Sequence, residues 1–243
     1  MNIRSVLTRC LLTVLVCAAV SFAQEVNLTA RVARVKGNKK SKSVTSKDVV
    51  IWLTPVGDTP TPAWPERDPN DPPRLVQKDK SFSPHVLVVP VGSVVQFPNK
   101  DPFFHNVFSL FEGKRFDLGL YEAGTTRNVH FDRVGISYIF CNIHAEMSAV
   151  VIALNTPYYG ISDAKGQIVV PNVTPGNYML HIWYEAALPE TLNRMTHEVT
   201  VSENNSTLGL LRLPVVTVPA AHKNKYGQDY PPPAPDSPTY EHP

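Results

Sequence analysis

The apolar residues of this chain occur in short, alternating and β-branched runs, and this pattern most constrains its fold. The 243 residues include 23 prolines and 12 glycines, which interrupt the apolar stretches. No helical repeat therefore extends over about twelve residues. Alternation of apolar and polar side chains is typical of strands that bury one face of a sheet. The sequence predicts an all-β protein.

The predicted strands are distributed along most of the chain. They are residues 26–35, 48–54, 75–78, 86–91, 93–97, 106–110, 127–131, 136–141, 149–154, 167–170, 177–184, 195–201 and 208–213. A chain of this length forms one large or two small domains. Its apolar fraction of 43% is sufficient for a buried core.

The first 23 residues have the features of a secretory signal peptide. Arg4 and Arg9 precede an apolar run that ends at Ser21-Phe22-Ala23, where the small residues suit cleavage after Ala23. The apolar run is short for a membrane span, although an uncleaved anchor is an alternative. We expect a periplasmic or secreted protein with no membrane span after cleavage.

Loss of residues 1–23 would leave a chain with a formal net charge of zero and a single cysteine thiol. Two of the 23 basic residues and none of the 21 acidic ones lie in that segment, so 21 of each remain. This balance gives no indication of a nucleic-acid partner. Cys10 and Cys17 would leave with the peptide, so no intramolecular disulfide is expected. Cys141 would then be either protected by a metal or buried and inert.

Cys141, His144 and Met147 are spaced three residues apart. They offer a thiolate, an imidazole and a thioether, which are ligands that favour copper. An extended segment from Cys141 to Met147 would span about 20 Å, so binding of one ion by all three requires a tight loop. His105, on a predicted neighbouring strand, is the candidate for a second imidazole.

Each of these residues also has a structural interpretation. Cys141 can be a small core residue, His144 a surface histidine and Met147 a residue that fills a gap in the core. Zinc is the main competing metal, because two histidines and one cysteine also suit a catalytic zinc site. The thioether argues against zinc. We therefore predict one mononuclear copper ion.

Several segments resemble the cupredoxin family of small blue-copper β-sandwich proteins. They are residues 82–84, 91–99 and 105–107, Gly135 and the Cys141-x₂-His144-x₂-Met147 loop. The resemblance covers about residues 74–156, and the loop spacing is similar to that of amicyanin. It implies a type 1 copper site whose ligands are His105, Cys141, His144 and Met147.

The resemblance also implies roles for residues around the ligands. Asn106 would direct its backbone N–H at the Cys141 sulfur and tie the two ligand segments together with its side chain. Ile143 stands where the amicyanin loop has proline and would donate a second N–H. Electrons would enter at the edge of His144, inside an apolar collar formed by Phe103, Phe104 and Ala145. The two phenylalanines are equally compatible with a place in the core.

A second region resembles a carboxypeptidase regulatory-like, transthyretin-like β-sandwich. The match covers residues 163–180, and residues 157–213 are too few for the complete sandwich. We therefore expect residues 24–57 to supply its first strands, with the copper domain of residues 74–156 inserted between the two parts. Residues 58–73, which include six prolines, would be a linker, and residues 214–243 a disordered tail.

The resemblance implies an exported one-electron carrier that cycles between Cu(II) and Cu(I). Its partners would be redox proteins of the periplasm, and the oligomeric state is open. We expect no enzymatic activity, because four protein ligands leave no obvious position for a substrate. Two alternatives are a copper storage or delivery protein without redox turnover, and a surface module that binds a partner or a glycan.

Overall fold

The computed structural model describes residues 24–35, 46–60, 62–110, 112–216 and 221–230. The predicted signal peptide lies outside these residues. Within them the chain is almost entirely β, with one short helix, α1 (Pro189–Met195). The predicted all-β class is confirmed. No helix in the described part of the chain is both long and apolar enough to cross a membrane.

The strands lie close to the positions that the alternating pattern predicts. The first eight are β1 (Val26–Val35), β2 (Val50–Pro55), β3 (Val76–Lys78), β4 (Ser81–Ser83), β5 (Val86–Pro90), β6 (Ser93–Pro98), β7 (His105–Ser109) and β8 (Phe116–Tyr121). The others are β9 (Thr126–Phe131), β10 (Gly135–Cys141), β11 (Ser148–Leu154), β12 (Tyr159–Ile161), β13 (Gln167–Val173), β14 (Gly176–Trp183), β15 (His197–Val201) and β16 (Thr207–Pro214). Strands β4, β8 and β12 and helix α1 were not predicted.

The first group of strands forms a sandwich around an apolar core. One layer is a five-stranded sheet in the order β5-β11-β10-β7-β8. The other contains the β3-β4 and β6-β9 ribbons, which two isolated bridges connect. Phe97, Phe131 and Ile139 lie fully buried between the layers, and Cys141 and Met147 belong to the same core.

The second group forms two further sheets in the orders β13-β1-β16 and β12-β2-β14-β15. Strand β1 pairs with β13 and β16, and β2 pairs with β12 and β14. These pairings join residues before the proline-rich stretch to residues after 156. The described residues of this stretch contain no strand and most of them are exposed. Trp64 within it is partly buried and packs against Tyr159.

Strand β11 of the five-stranded sheet is buried on both faces. In β11, Val151 and Ala153 face the core that contains Cys141, while Val150 and Ile152 face the core of the other sheets. Side chains alternate along a strand, so a continuous apolar run such as β11 indicates cover on both sides. The two groups of strands are therefore packed against each other across this sheet.

Part of the predicted disordered tail requires a correction. Residues 221–230, here called the strap, form a short segment that lies against the loop between β10 and β11. The prediction of disorder is wrong for these residues. Hydrogen bonds and ring contacts, rather than an apolar face, attach these residues to the fold. Their sequence therefore shows no apolar repeat.

Candidate metal centre

His105 and Cys141 are brought together by strand pairing. Strands β7 and β10 are antiparallel, with Cys141 opposite Val107. His105 lies two residues from Val107 and therefore points to the same face of the sheet. The His105 Nδ1 atom is 3.5 Å from the Cys141 Sγ atom, and both residues are 0% exposed.

The chain after Cys141 closes into the tight loop that the spacing requires. The Cys141 N–H donates to the Met147 carbonyl at 3.2 Å, and the Met147 N–H donates to the His144 carbonyl at 3.1 Å. These bonds join the two ends of the loop at the start of β11. The His144 Nδ1 atom then lies 3.5 Å from the Cys141 Sγ atom.

The resulting group has the dimensions of a metal site. The ligand atoms of His105, Cys141 and His144 all lie within 4.8 Å of one another. Donor atoms 3.5 Å apart can both lie about 2 Å from one ion, as imidazole and thiolate ligands require. Met147 is 1% exposed in the same core. Among the described residues this is the one cluster of three such donors.

The Cys141 sulfur is surrounded by backbone donors. Burial raises the pKa of its thiol, and hydrogen bonds from the N–H groups of Asn106, Ile143 and His144 oppose this effect. The first two are the groups to which the resemblance assigned this role, and His144 N–H had no predicted role. Three donors stabilise a thiolate, which is the form of cysteine that binds metals.

Both imidazoles are held in the neutral form. Burial lowers the pKa of His105, although a hydrogen bond to Asp101 works in the opposite direction. Burial, followed by the charge of His105, lowers the pKa of His144 to about 4. Neutral imidazole is the form that binds a metal, so near neutral pH these side chains require no deprotonation.

Asn106 connects the ligand segments in a different way from the one predicted. Its backbone carbonyl accepts a 2.7 Å hydrogen bond from the N–H of Asn142, next to Cys141. Its side-chain amide instead donates to Asp117 on β8 at 2.7 Å. The predicted tie is therefore made by the backbone, because pairing of β7 with β8 brings the Asn106 side chain to Asp117.

Asp101 is the residue of the site that the sequence did not reveal. Its Oδ2 atom accepts a 2.8 Å hydrogen bond from His105 Nε2, and its side chain is 4% exposed. Burial raises the pKa of this carboxyl group, but hydrogen bonds from His105 and from two backbone N–H groups outweigh it and lower the pKa. An acidic residue four positions before a candidate ligand is the signal that could have identified it.

The predicted apolar collar is only partly assembled around His144. The Phe103 ring lies 5.4 Å from the His105 ring and 5.5 Å from the His144 ring, between centroids. Phe104 is 52% exposed, and Ala145 is half-buried. The Nε2 atom of His144 is buried, so the imidazole edge does not reach the surface at this atom.

His222 attaches the strap to the middle of the ligand loop. Its backbone N–H donates to the Ala145 carbonyl at 3.0 Å, and its Nε2 atom lies 3.2 Å from the His144 carbonyl oxygen. Its ring packs on Phe140 of β10 with 4.5 Å between centroids. The residues that follow Cys141 are therefore covered by a segment from a distant part of the chain.

Two further strap residues hold the beginning of the loop. The Lys225 N–H donates to the Asn142 side chain at 2.9 Å, and the Lys225 ammonium pairs with Asp117 at 2.7 Å. The Tyr230 hydroxyl donates to the Cys141 carbonyl at 2.7 Å. Tyr230 thus restrains the loop backbone, Lys225 restrains a loop side chain and strand β8, and none of these contacts touches a ligand atom.

Comparisons with known proteins find distant similarity to solved structures. No protein-family model matches the chain, and no curated protein matches it. A purple cupredoxin from Nitrosopumilus maritimus is 22% identical, with a TM-score of 0.31, over 34% of this chain and 99% of that one. Amicyanin from Paracoccus versutus is 20% identical, with a TM-score of 0.33, over 36% of this chain and 85% of that one.

A copper-containing enzyme gives a similar result. The Cu-containing nitrite reductase from Thermus scotoductus SA-01 is 20% identical, with a TM-score of 0.33, over 51% of this chain and 28% of that one. Likenesses this distant assign no family. The function must therefore be inferred from the geometry and chemistry of the metal centre itself.

Proposed function

We propose that the protein is a type 1 copper protein that carries one electron at a time, with His105, Cys141, His144 and Met147 as ligands. The observation that supports this most is the approach of two Nδ1 atoms to the buried Cys141 sulfur, each at 3.5 Å. A thiolate with two imidazoles and a nearby thioether is a ligand set that selects copper.

The burial of the site favours electron transfer over catalysis. A catalytic metal keeps one coordination position open to water or substrate. Here Cys141 and His105 are fully buried and Met147 is 1% exposed. An electron can pass through the buried side chains around the ion, whereas a substrate cannot reach the ion without movement of the loop.

The protein residues supply a preformed cage. Bound copper would supply the one-electron chemistry, since it cycles between Cu(II) and Cu(I). The N–H groups of Asn106, Ile143 and His144 stabilise the charge on the thiolate. Strand pairing and the closed loop hold the donors in place, which limits rearrangement when the electron arrives or leaves.

The route of the electron would pass through the apolar residues beside the imidazoles. The Phe103 ring contacts both histidine rings, and its neighbour Phe104 is exposed. We infer that redox partners of the periplasm dock at Phe104 and Ala145, close to His144. This modifies the sequence-based hypothesis of entry at an open histidine edge, because the His144 Nε2 atom is buried.

Copper titration and voltammetry test the proposal. One equivalent of Cu(II) added to the purified protein is expected to give an intense thiolate-to-copper absorption in the visible range and then a reversible one-electron wave. Cys141→Ser should abolish the absorption. His130→Asn, which changes an exposed histidine outside the site, is the matched control and should leave both signals unchanged.

Two outcomes would count against the electron carrier. Wild-type protein that gives no visible absorption with Cu(II) would contradict the copper site itself. Protein that binds copper but shows no reversible wave, and passes its ion rapidly to a chelator, would instead indicate copper storage or delivery.

A further inference from the structure

We propose that Asp101 is a positioning residue that fixes His105 and biases the centre toward Cu(II). This inference rests on the proposed copper site and deepens it. It concerns a carboxylate that makes no contact with the ion and acts through the far nitrogen of a ligand.

The contact between His105 and Asp101 determines which nitrogen of His105 can bind a metal. Nε2 lies 2.8 Å from a carboxylate oxygen, and a carboxylate that accepts this bond requires the proton on Nε2. Nδ1 is then left with a free lone pair, and it faces the Cys141 sulfur at 3.5 Å. The carboxylate therefore selects the tautomer and the ring orientation that ligation requires.

The carboxylate is itself held firmly. It accepts the backbone N–H of Asp79 at 2.6 Å and that of Lys80 at 3.1 Å, both from the turn between β3 and β4. These two residues have φ values of 54° and 53°, and their consecutive N–H groups are directed at Asp101. The Asp101 N–H in turn donates to the Asn99 side chain at 3.0 Å. These hydrogen bonds fix Asp101 relative to the turn, and Asp101 fixes the orientation of the His105 ring.

The charge of Asp101 would act on a copper ion bound at His105 Nδ1 through one imidazole ring, in a buried part of the protein. His105 is 0% exposed and Asp101 is 4% exposed, so the interaction is weakly screened. A negative charge stabilises Cu(II) more than Cu(I), and the hydrogen bond also makes the imidazole a stronger donor. The N–H groups around the sulfur act in the opposite direction, because they favour the reduced ion.

A purely structural role for Asp101 would have a different signature. Loss of the two turn hydrogen bonds would loosen the site and weaken the binding of both oxidation states equally. Loss of the charge, which also weakens the hydrogen bond to His105, weakens Cu(II) binding preferentially. The ratio of the two affinities, which fixes the reduction potential, therefore separates the two roles.

Asp101→Asn is the test, since asparagine keeps the shape and its amide oxygen can still accept from His105, while its NH2 group replaces the oxygen that accepts from the Asp79 N–H. Cu(II) affinity should fall by about 10- to 100-fold, the usual effect of removing such an outer partner, with a smaller loss of Cu(I) affinity. Each tenfold preferential loss of Cu(II) binding corresponds to a rise of about 59 mV in the potential. The control Asp79→Asn removes an exposed carboxylate from the same turn and keeps its backbone N–H, so both affinities should stay close to wild type.

Equal losses of Cu(I) and Cu(II) affinity, or an unchanged potential, would overturn the inference while leaving the copper site intact. Wild-type protein that binds no copper would overturn the proposed function and this inference together. If Asp101→Asn does not fold, NMR of the wild-type Cu(I) protein decides. A slowly exchanging, strongly downfield His105 Nε2–H resonance is expected, and its absence would overturn the inference.

Discussion

The two imidazoles of the proposed copper site lie on two sides of different construction. They are here called the strand wall, which carries His105, and the loop wall, which carries His144. His105 lies on strand β7, is fully buried, and is fixed by Asp101 and by the strand pairing around it. His144 lies on a loop, is half-buried, and is restrained largely through its backbone. The strap, whose residues follow the last strand, covers that loop.

This difference indicates which wall can open. The strand wall depends on buried hydrogen bonds within the sheet and on a buried carboxylate, whose loss is costly. The loop wall depends on bonds from the strap that lie at or near the surface, where water competes for the same groups. We therefore expect His105 to set the properties of the ion and the loop wall to control its exchange.

Replacement of each imidazole by glycine should give the largest contrast. His144→Gly leaves a gap near the surface, so added imidazole should enter it and restore the visible absorption of the copper protein. His105→Gly leaves a fully buried gap beside Asp101, and added imidazole should not restore the absorption. Absorption titrations with imidazole measure both, and equal rescue of the two variants would remove the distinction between the walls.

Removal of the strap should have an intermediate effect. A chain that ends at Val216 loses the contacts of His222, Lys225 and Tyr230 with the loop, and copper release to a chelator should become at least about tenfold faster. A factor of ten corresponds to about 1.4 kcal/mol, which is close to one net hydrogen bond. Stopped-flow absorption provides the rate.

Tyr230→Phe in the full chain is the graded control for the truncation. It removes only the hydroxyl that donates to the Cys141 carbonyl, so the rate should increase by a smaller factor. A truncated protein that releases copper at the wild-type rate would show that the strap does not close the loop wall.

The smallest expected effect is a pH dependence of the stability of the fold at the start of β11, where the ligand loop ends. His85 lies with Nε2 2.7 Å from Glu185 and Nδ1 3.3 Å from the carbonyl of Ser148, the first residue of β11. The hydrogen bond to Glu185 raises the pKa of His85 above 6.5, although burial opposes it. A raised folded-state pKa means that this stabilisation is complete below pH 6.5 and is lost as pH rises through the folded-state value.

The melting temperature of the metal-free protein should show this loss. It should fall more steeply above pH 6.5 in the wild type than in Glu185→Gln, which keeps the shape of the side chain. The difference should correspond to no more than about 1 kcal/mol, because both side chains are partly exposed. Parallel profiles of melting temperature against pH for the two proteins would mean that the pair of His85 and Glu185 does not stabilise the fold.

The strands of the fold were predictable where alternation or continuous burial leaves a pattern in the sequence. Strand β10 shows it, since Ser137, Ile139 and Cys141 are buried on one face and Tyr138 points to the other group of sheets. Strands β4 and β12 have three residues each, too few for a repeat. In strand β8 the apolar residues alternate, but the burial does not follow them, since Leu120 is exposed and its neighbour Tyr121 is buried.

The three potential donors His105, Cys141 and His144 were predictable because few residue types bind metals and their spacing is unusual. Asp101 was not predicted: its place four residues before His105 is visible in the sequence, but the backbone N–H groups that fix it belong to a turn more than 20 residues earlier and leave no trace in residue types. The strap was missed for a similar reason, as its contacts are mainly with loop backbone. The insertion of residues 74–156 into a second domain stays a prediction, although β1 and β2 pair with strands that follow residue 156.

X-ray absorption at the copper edge tests the central claim most directly. Protein loaded with one equivalent of copper should show two nitrogen ligands and one sulfur ligand at short distance in both oxidation states, with little change on reduction. Cys141→Ser should lose the sulfur contribution. A wild-type spectrum with nitrogen and oxygen ligands alone, or one that loses an imidazole on reduction, would contradict a rigid copper cage built from His105, Cys141 and His144.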